Sequence, residues 1–366
     1  MTDTNPIVEK LRREVPKPVF NPTVVPTQVD EHTLHIRGGP WNGPILTLSS
    51  SGDENVIAQL VECIDGETSV SEILERFGEG NQTEVAKVLY RLFQIDAIHD
   101  AETLDDQPLY NHHAIRPAFQ ETERDHLEAT SVFVVNAGRI GPRVADHLLE
   151  MGVGEVDFYR EADRDVDHSR GLEERDRCSL VPDDGIEAAV EDADFVVYTA
   201  DRPYPELERT VNELAHEHRT PWVIGQIEGY DGHVGPTFFP GQTACLECFR
   251  TRISANATNP EGLRAYRDAD HATTIDGSWA TLPPFADAIA SLLSMDLLNL
   301  LLYGSGYTAG RAIWMNSVDF SFDADQVLKL PRCEVCGVEP SSGETPFMTL
   351  EDAEAVTELD INLTVE

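Results

Sequence analysis

The sequence predicts an α/β protein in which an N-terminal winged-helix domain precedes a Rossmann-like domain with a structural zinc site. Three observations lead to this prediction. Short runs of β-branched residues precede three helical patterns before residue 100, a strand, glycine turn, helix and strand begin at Ser131, and two Cys-x-x-Cys pairs lie further on. A chain of 366 residues with 41% hydrophobic content is long enough to bury two or three cores.

The order of these patterns divides the chain into five segments. We predict an N-terminal extension, a winged-helix domain, a polar linker without clear periodicity, a Rossmann-like domain that includes both cysteine pairs, and an acidic C-terminal tail. The corresponding residues are 1–19, 20–100, 101–130, 131–340 and 341–366.

The winged-helix prediction comes from the local patterns of the first domain. β-branched runs between Val24 and Leu48, interrupted by glycine and proline, indicate a small antiparallel sheet. Three helical patterns follow, the second with Thr68 or Ser69 as its N-cap. A short strand near His99 completes the pattern. Apolar residues of the third helix recur at the i, i+3, i+4, i+7 spacing of one helix face. They are Val85, Val88, Leu89 and Leu92.

The Rossmann-like prediction rests on a βαβ unit. The apolar run Val132–Val135 predicts a buried strand, a glycine turn leads into a helix that stops at Gly152, and Val156–Tyr159 predicts the second strand. The runs Phe195–Thr199 and Trp222–Gly225 continue the alternation of strands with helices.

The glycine turn of this unit departs from a nucleotide-binding loop. Such a loop has glycines where backbone N–H groups approach a phosphate at a helix N-terminus. Asn136 occupies the first glycine position, whereas Gly138 and Gly141 are present. Arg160 stands where an acidic residue would hold a ribose, and Glu161 and Asp163 lie nearby but out of register. A purely structural turn and retained nucleotide binding are both open, and we favour the structural turn.

The two cysteine pairs predict a metal site. They are Cys245 with Cys248 and Cys333 with Cys336. Two knuckles of this spacing form a tetrahedral thiolate site typical of zinc, and four thiolates leave no coordination position for a catalytic water. We therefore predict structural zinc, with a redox dithiol and a catalytic zinc ion as alternatives. The isolated Cys63 and Cys178 are predicted to be reduced thiols of a cytoplasmic protein.

The charge of the chain indicates its surroundings. The formal net charge of −39 is spread along the whole sequence, and lysine occurs at only four positions. Molar salt reduces the screening length to about 3 Å, so this composition predicts a salt-rich cytoplasm, as in a halophile. An acidic surface argues against nucleic-acid binding. The N-terminus lacks a signal-peptide pattern, and we expect no apolar run with the length of a membrane span.

One long apolar stretch calls for a separate interpretation. Residues Pro284–Leu302 contain two charged residues, Asp287 and Asp296, and are otherwise almost wholly apolar. Dense apolar helices more often serve cores than partners, so we predict a buried helix. Its alternative is a subunit interface in a homodimer.

Several segments together resemble the ThiF-like superfamily, which includes the ubiquitin-activating enzymes. They are the first strand with its glycine turn, the third strand ending at Asp201, the run Pro221–Val223, and the segments Val234–Cys248 and Leu330–Gly337. Within this superfamily the sequence is similar to the cyclodehydratase partner proteins, or leader-peptide-binding proteins, of thiazole/oxazole-modified microcin (TOMM) biosynthesis. The resemblance covers most of the chain. Its N-terminal winged-helix pattern resembles the precursor-peptide recognition element of that family.

The resemblance implies a binding scaffold. In that family a separate YcaO-family enzyme uses ATP to activate backbone amides, so that Cys, Ser or Thr side chains cyclise to azolines, and the ThiF-like partner captures the leader peptide. Active adenylating relatives have an intact glycine loop, a ribose-binding acid and phosphate-neutralising cations. Asn136 and Arg160 replace the first two here, and no lysine lies between Lys87 and Lys329. We therefore expect no ATP on this chain, with Asp201 either matching the family's magnesium-binding aspartate or capping a helix.

The peptide site is predicted in the N-terminal domain. An extended peptide can add a strand to an open sheet edge while its side chains enter a groove. We predict such an edge along Ile45–Leu48, beside the apolar face of the third helix. The predicted peptide-binding residues are Ile45, Leu46, Leu48, Val85, Val88, Leu89 and Leu92. Each has a place in the domain core as its alternative role.

Two other function classes remain open. One is a ThiF-type ATP-dependent adenylyltransferase that activates a carboxylate, which requires phosphate-binding cations that we expect the region of the glycine turn to lack. The other is a winged-helix regulator with a ligand-sensing domain. Residues 20–100 contain thirteen acidic and four basic residues, the opposite of a duplex-binding surface. The scaffold satisfies these constraints best.

Overall fold

The computed structural model describes residues 6–41, 45–50, 56–104, 126–161, 171–268, 281–304 and 306–337. These residues form a mixed α/β protein with one large sheet. The predicted acidic tail (341–366), most of the predicted linker and Asp163 lie outside the described residues.

The N-terminal region combines helices with two small antiparallel sheets. Its elements are α1 (Pro6–Glu14), β1 (Pro18–Phe20), β2 (Val25–Gln28), β3 (Thr33–Arg37), β4 (Leu46–Ser49), α2 (Val56–Glu62), α3 (Val70–Arg76), α4 (Gly78–Gln94) and β5 (Ile98–Asp100). Within the described residues, one sheet has the order β2-β3-β4 and the other pairs β1 with β5. The sheet and the helices lie where the sequence places them, and the winged-helix assignment itself stays a prediction.

One apolar core holds these N-terminal elements together. Leu89 and Leu92 of α4 are fully buried, as is Leu11 of α1. α3 begins with a capping box, in which the Ser69 side chain accepts from the Glu72 N–H and the Glu72 carboxylate accepts from the Ser69 N–H. α1 and β1 lie in the segment predicted as an extension, yet they contribute to this core. The helix is too short for its periodicity to stand out in the sequence.

The rest of the described chain forms the large α/β unit. Its elements are β6 (Ser131–Ala137), α5 (Ile140–Glu150), β7 (Glu155–Arg160), β8 (Cys178–Val181), α6 (Ile186–Asp192), β9 (Phe195–Ala200), α7 (Pro205–His218), β10 (Trp222–Glu228), β11 (Asp231–Phe238), α8 (Leu246–Asn256), α9 (Pro260–Asp268), α10 (Pro283–Tyr303), β12 (Arg311–Asn316) and β13 (Phe322–Gln326).

Among the described residues, eight strands form the sheet in the order β13-β12-β11-β10-β9-β6-β7-β8. The five strands from β10 to β8 in this order are parallel, whereas β11, β12 and β13 are antiparallel to their neighbours. The strand order reverses between β6 and β9, so the carboxyl ends of these two strands flank a crevice of the kind in which open α/β sheets bind ligands.

Helices cover both faces of this sheet, which explains the apolar runs of its strands. On one face, Val132 and Val134 of β6 pack in a cluster with α5 and α10. On the other face, Phe133 and Val135 pack with α6, α7 and α8. A parallel strand buried on both faces is continuously apolar and not alternating. For this reason β6, β9 and β10 were recognisable in the sequence.

Of the described helices, α10 is long and apolar enough, over Pro283–Leu302, to cross a membrane by length and composition. The expectation that no apolar stretch reaches this length is therefore corrected. Ile289 and Leu293 on its inner side are fully buried. They pack so closely on the sheet that a Cβ atom at Gly232 or Gly225 would meet them at 2.7 Å. α10 is thus a core helix along this face.

Candidate functional site

The four cysteines of the two Cys-x-x-Cys pairs lie together and are buried. Cys245 is the N-cap of α8, Cys248 lies in the first turn of that helix, and Cys333 and Cys336 lie in a turn after β13. Their Sγ atoms all lie within 4.8 Å of one another. Neighbouring sulfurs are 3.4 to 3.9 Å apart. Disulfide sulfurs are about 2.05 Å apart, so these cysteines are not bridged.

This cluster fits the donor set of a zinc site. Zinc–thiolate bonds of about 2.3 Å place the sulfurs of a tetrahedron about 3.8 Å apart, close to the separations found here. The backbone N–H of Leu330 donates to Sγ of Cys248 at 3.3 Å, a contact that favours a thiolate ligand. All four donors come from the protein, so an ion held here would have no open position for substrate or water.

Burial disfavours the charged form of these thiols when no ion is considered. It raises the pKa of Cys336 to about 11 and also raises the pKa of Cys245. Burial acts in the same direction on Cys333, but the N–H groups of Cys336 and Val335 and the neighbouring thiols together lower the pKa of Cys333. A bound divalent cation would favour all four thiolates, so metal binding and proton release are coupled.

The cluster joins α8 to the chain that follows β13. The guanidinium of Arg252 in α8 donates to the carbonyl of Leu328 at 2.5 Å. Two residues earlier in α8, Arg250 forms a mostly buried ion pair with Glu208 of α7. The cysteines and this ion pair together connect α7, α8 and the C-terminal segment. The cluster therefore lies where it can stabilise the contact between these elements.

The side chain of Asn136 closes the glycine turn after β6. Its Oδ1 accepts from the Gly141 N–H at 3.0 Å and from the Thr199 hydroxyl at 3.1 Å, and its Nδ2 donates to the Gly138 carbonyl at 2.9 Å. The Gly141 N–H lies in the first turn of α5 and is one of the donors that a bound phosphate would use. Asn136 therefore satisfies, within the protein, a donor that a nucleotide loop keeps open.

Asp201 follows β9 and approaches the same turn. Its carboxylate accepts from the backbone N–H of Arg139 at 3.2 Å. Gly138 has φ +141, and a Cβ atom there would lie 2.2 Å from Oδ1 of Asp201, so this position requires glycine. The chain beyond β7 also reaches the turn, because the Glu161 N–H donates to the Asn136 carbonyl at 2.8 Å. Glu161, which the sequence places out of register, thus lies directly beside the turn.

A cavity of about 380 Å³ opens next to α5, and arginines line it. Arg143 pairs with Asp287 at 3.0 Å, and Arg175 pairs with Asp146 at 2.8 Å. The buried Nε of Arg139 has no hydrogen-bond partner among the described residues. The expectation that cations are lacking near the glycine turn is therefore corrected, although two of these arginines already have carboxylate partners. Arg139 and Arg143 are one helical turn apart in the sequence, whereas the approach of Arg175 to them could be seen only in the structure.

β4 forms one edge of the N-terminal sheet, at the predicted peptide site. Among the described residues it pairs with β3 alone. The Ser50 N–H donates to the His32 carbonyl at 2.9 Å. Because donors alternate along an antiparallel strand, the Leu48 N–H faces β3 and the N–H groups of Thr47 and Ser49 face the open edge.

Burial separates the predicted peptide-binding residues into two groups. Val85, Leu89 and Leu92 are buried in the N-terminal core. The other four are partly buried at its margin, and they are Ile45, Leu46, Leu48 and Val88. Of these seven residues, the second group is the one that a peptide can reach in this structure.

Residues 162–335 match the model of the ThiF family. The chain contains a ThiF family domain. The matched residues include Asp201 and three of the four clustered cysteines, and they begin after the glycine turn. A similar curated protein is the sulfur carrier protein adenylyltransferase of Thermus thermophilus, which is 27% identical over 274 residues, or 66% of this chain and 95% of that protein.

Solved structures extend the likeness of fold beyond the ThiF family domain. MccB of E. coli, a microcin C7 biosynthetic enzyme solved with N-formylated MccA and also with ATP, has a TM-score of 0.57 in the first complex. At 17% identity it covers 87% of this chain and 99% of its own. The heterocyclase TruD has a TM-score of 0.57 at 18% identity and covers 88% of this chain, which spans 43% of the heterocyclase. Coverage this large must include the N-terminal region.

The structure also groups polar residues that the sequence did not single out. Gln226 of β10 lies opposite His233 of β11, and both are buried. The His233 Nδ1–H donates to the Gly235 carbonyl at 2.8 Å, and burial lowers the pKa of His233 to about 4. The two residues border a space of about 20 Å³, which holds about one water. A polar residue inside an otherwise apolar strand is the signal that could have indicated Gln226.

Proposed function

We propose that this protein is a leader-peptide-binding scaffold that presents a ribosomally made precursor peptide to a YcaO-family ATP-dependent cyclodehydratase for azoline formation. The observation that carries the proposal is the extent of the shared fold. The likeness to the heterocyclase TruD and to MccB covers 88% and 87% of the chain, and thus joins the N-terminal region to the ThiF family domain. The chain spans 43% of the heterocyclase, and we propose that a separate partner carries the cyclodehydratase activity.

The glycine turn supports a scaffold role over independent ATP chemistry. The Asn136 side chain accepts the hydrogen bond of the Gly141 N–H, and the Asp201 carboxylate accepts that of the Arg139 N–H. A phosphate approaching the entrance of α5 would have to displace both side chains, since these are the donors that such a site uses. We therefore propose that the partner enzyme, and not this chain, binds the reacting ATP.

The edge of β4 supports peptide capture by strand addition. The outward N–H groups of Thr47 and Ser49 can pair with an extended leader peptide, and alternate side chains of the peptide can pack on Leu48 and Val88 at the margin of the core. Val85, Leu89 and Leu92 then stabilise the domain from within, and do not contact the peptide directly.

We further propose that the four cysteines hold one structural zinc ion. The separations between the sulfur atoms fit a tetrahedral site, and four thiolates would fill all four coordination positions of the ion. Such an ion would fix α8 against the C-terminal segment. Unbridged thiolates of this kind persist in a reducing cytoplasm, the compartment that we propose for the protein.

The peptide site is tested by removing one outward N–H. Thr47→Pro deletes a donor at the open edge and leaves the β3–β4 hydrogen bonds in place, whereas Thr47→Val keeps the donor. A fluorescently labelled leader peptide of a candidate precursor should bind the full-length wild type and Thr47→Val alike. It should bind Thr47→Pro at least about tenfold more weakly, since backbone pairing carries affinity in this mode. Equal binding by folded Thr47→Pro would exclude strand addition to β4.

A second candidate function is a ThiF-type adenylyltransferase. It is favoured by the arginines of the cavity beside α5 and by the similarity to a sulfur carrier protein adenylyltransferase. Exchange of labelled pyrophosphate into ATP distinguishes the two candidates. We expect no exchange with or without peptide. Sustained exchange that Asp201→Asn abolishes would establish the adenylyltransferase instead.

A further inference from the structure

Two adjacent turns at one end of the large sheet expose apolar side chains. The turn between β10 and β11 presents Tyr230, the turn between β12 and β13 presents Val318 and Phe320, and Phe322 follows as the first residue of β13. These side chains are 71%, 67%, 70% and 55% exposed, respectively. We call this set the hairpin patch. Single exposed apolar residues are common on protein surfaces, whereas several in neighbouring turns mark an interaction site.

Hydrogen bonds hold the two turns together. The backbone N–H and the hydroxyl of Ser317 both donate to the Tyr230 carbonyl, at 2.8 and 3.0 Å. The Asn316 side chain donates to Asp231 at 2.7 Å and accepts from the Val318 N–H at 2.8 Å. The patch is therefore displayed by a fixed framework, which lowers the entropy that a partner must overcome on binding.

The conformation of Phe320 is unfavourable for its residue type. Its φ is +57, in the left-handed region where glycine and asparagine are common and bulky residues are outliers. Nothing in the fold of the turn requires an aromatic ring there, because the side chain projects outward. An exposed aromatic residue in a strained position is the pattern expected when the ring serves an external contact.

The charges around the hairpin patch indicate the chemistry of its partner. The segment Asn316–Gln326 contains Asp319, Asp323 and Asp325 and no lysine or arginine. Asp319 accepts from the Ser321 N–H at 2.9 Å, a hydrogen bond that lowers the pKa of its carboxyl group. The rim is thus anionic. It is complementary to a surface in which an apolar pocket is surrounded by arginine or lysine.

Pairing of the edge strand β13 with β13 of a second copy is disfavoured in the register centred on Ala324. Within the described residues, β13 pairs with β12 alone, and all five of its residues are exposed. Pairing the β13 strands of two copies about Ala324 in antiparallel fashion would place Asp323 of one strand opposite Asp325 of the other. Like charges directly opposite each other destabilise a strand pair.

We infer that the hairpin patch is the docking surface for the separate cyclodehydratase, which contributes an apolar pocket with a basic rim. The inference rests on the proposed function. More than half of the heterocyclase TruD lies outside the fold that this chain shares. If that part is a separate protein here, the two proteins must associate through a surface. The hairpin patch is an exposed apolar surface of the described residues, at the turns that follow β10 and β12.

The test measures the affinity of the full-length protein for the purified YcaO-family protein of the same genome, in molar KCl. Phe320→Asn and Phe322→Ser should each weaken binding by about tenfold or more, as expected for an aromatic anchor. Phe320→Asn should fold at least as stably as the wild type, because asparagine tolerates positive φ. Leu180→Ser, at an exposed position of the opposite edge strand β8, is the matched control and should leave the affinity unchanged.

Each other outcome would overturn the inference in a distinct way. If the wild type forms a complex that Phe320→Asn and Phe322→Ser do not weaken, the docking surface lies elsewhere and the proposed function stands. If Leu180→Ser weakens the complex equally, the effect is not specific to the patch. If light scattering shows a wild-type dimer that Phe320→Asn dissociates, the patch joins two copies. If the wild type forms no complex with the YcaO-family protein, the proposed function fails together with the inference.

Discussion

At the residue scale, the clustered cysteines carry the sharpest prediction. Wild-type protein should contain about one zinc ion per chain, the occupancy of a closed four-thiolate site. Cys333→Ser removes one ligand and should lower both the zinc content and the free energy of unfolding, the latter by about 3 kcal/mol or more, because binding to such a site is coupled to folding. Elemental analysis and chemical denaturation measure the two quantities.

The control for this experiment is Cys178→Ser. Cys178 is half-buried and lies outside the cluster, so its replacement should change stability by no more than about 1 kcal/mol and leave the zinc content unchanged. A wild-type protein that is folded and free of metal would contradict the zinc assignment.

The buried His233 should make the stability of the protein depend on pH. Burial holds its folded-state pKa at about 4, below its ordinary value of 6.5. The unfolded chain therefore takes up a proton at a higher pH than the folded protein. The contribution of His233 to the free energy of unfolding is therefore fully present above pH 6.5. It is lost as the pH falls toward 4, and the loss amounts to about 3 kcal/mol at most. His233→Gln, which keeps a donor for the Gly235 carbonyl, should flatten this part of the stability curve. An unchanged slope would show that His233 is not the group responsible.

At the element scale, we predict that α10 stabilises the protein through its inner face, as a core helix does. Leu293 on its inner face is fully buried, whereas Met295 on its outer face is 64% exposed. Leu293→Ala should lower the free energy of unfolding by about 2 to 5 kcal/mol, because it leaves a cavity against the sheet. Met295→Ala on the same helix is the matched control and should change it by no more than about 0.5 kcal/mol.

The same pair of variants bears on the homodimer alternative. If the outer face of α10 joins two subunits, Met295→Ala will be destabilising, and the unfolding midpoint will depend on protein concentration. Thermal denaturation over a range of concentrations therefore separates a helix that serves one core from a helix that also forms an interface.

At the scale of the whole molecule, the net charge of −39 governs the response to salt. In dilute buffer the carboxylates repel one another, and molar salt screens this repulsion. We expect the thermal midpoint to rise by about 5 °C or more between dilute and molar KCl. Sucrose is the control, since it acts by exclusion from the surface and not by screening. A midpoint that is insensitive to KCl would contradict the inferred salt-rich surroundings.

The order of elements could be predicted from the sequence wherever interactions between residues close in the chain determine the structure. The continuously apolar runs of β6, β9 and β10 identified the parallel strands, since burial on both faces leaves no alternation. Ser69 and Glu72 marked the start of α3, because a capping box is a contact between neighbours in the chain. The two Cys-x-x-Cys pairs pointed to one cluster for a related reason, since each knuckle is a local unit. α1 and β1 escaped detection because short elements have weak periodicity. β11 escaped although it is eight residues long and mostly buried, because glycine, histidine and proline interrupt its apolar pattern.

By itself the sequence determined the apolar patterns, the cysteine spacing, the altered glycine turn and the overall charge of this protein. The tertiary structure alone decided which distant residues meet. It brought Arg175 to the cavity that Arg139 and Arg143 line, placed Leu92 inside the N-terminal core, and joined the turn that contains Ser317 to the turn that contains Tyr230. The physical reason is the range of the interactions. Periodicity, capping and turn chemistry act over a few residues, whereas burial and charge pairing depend on strand order, which brings together side chains far apart in the chain.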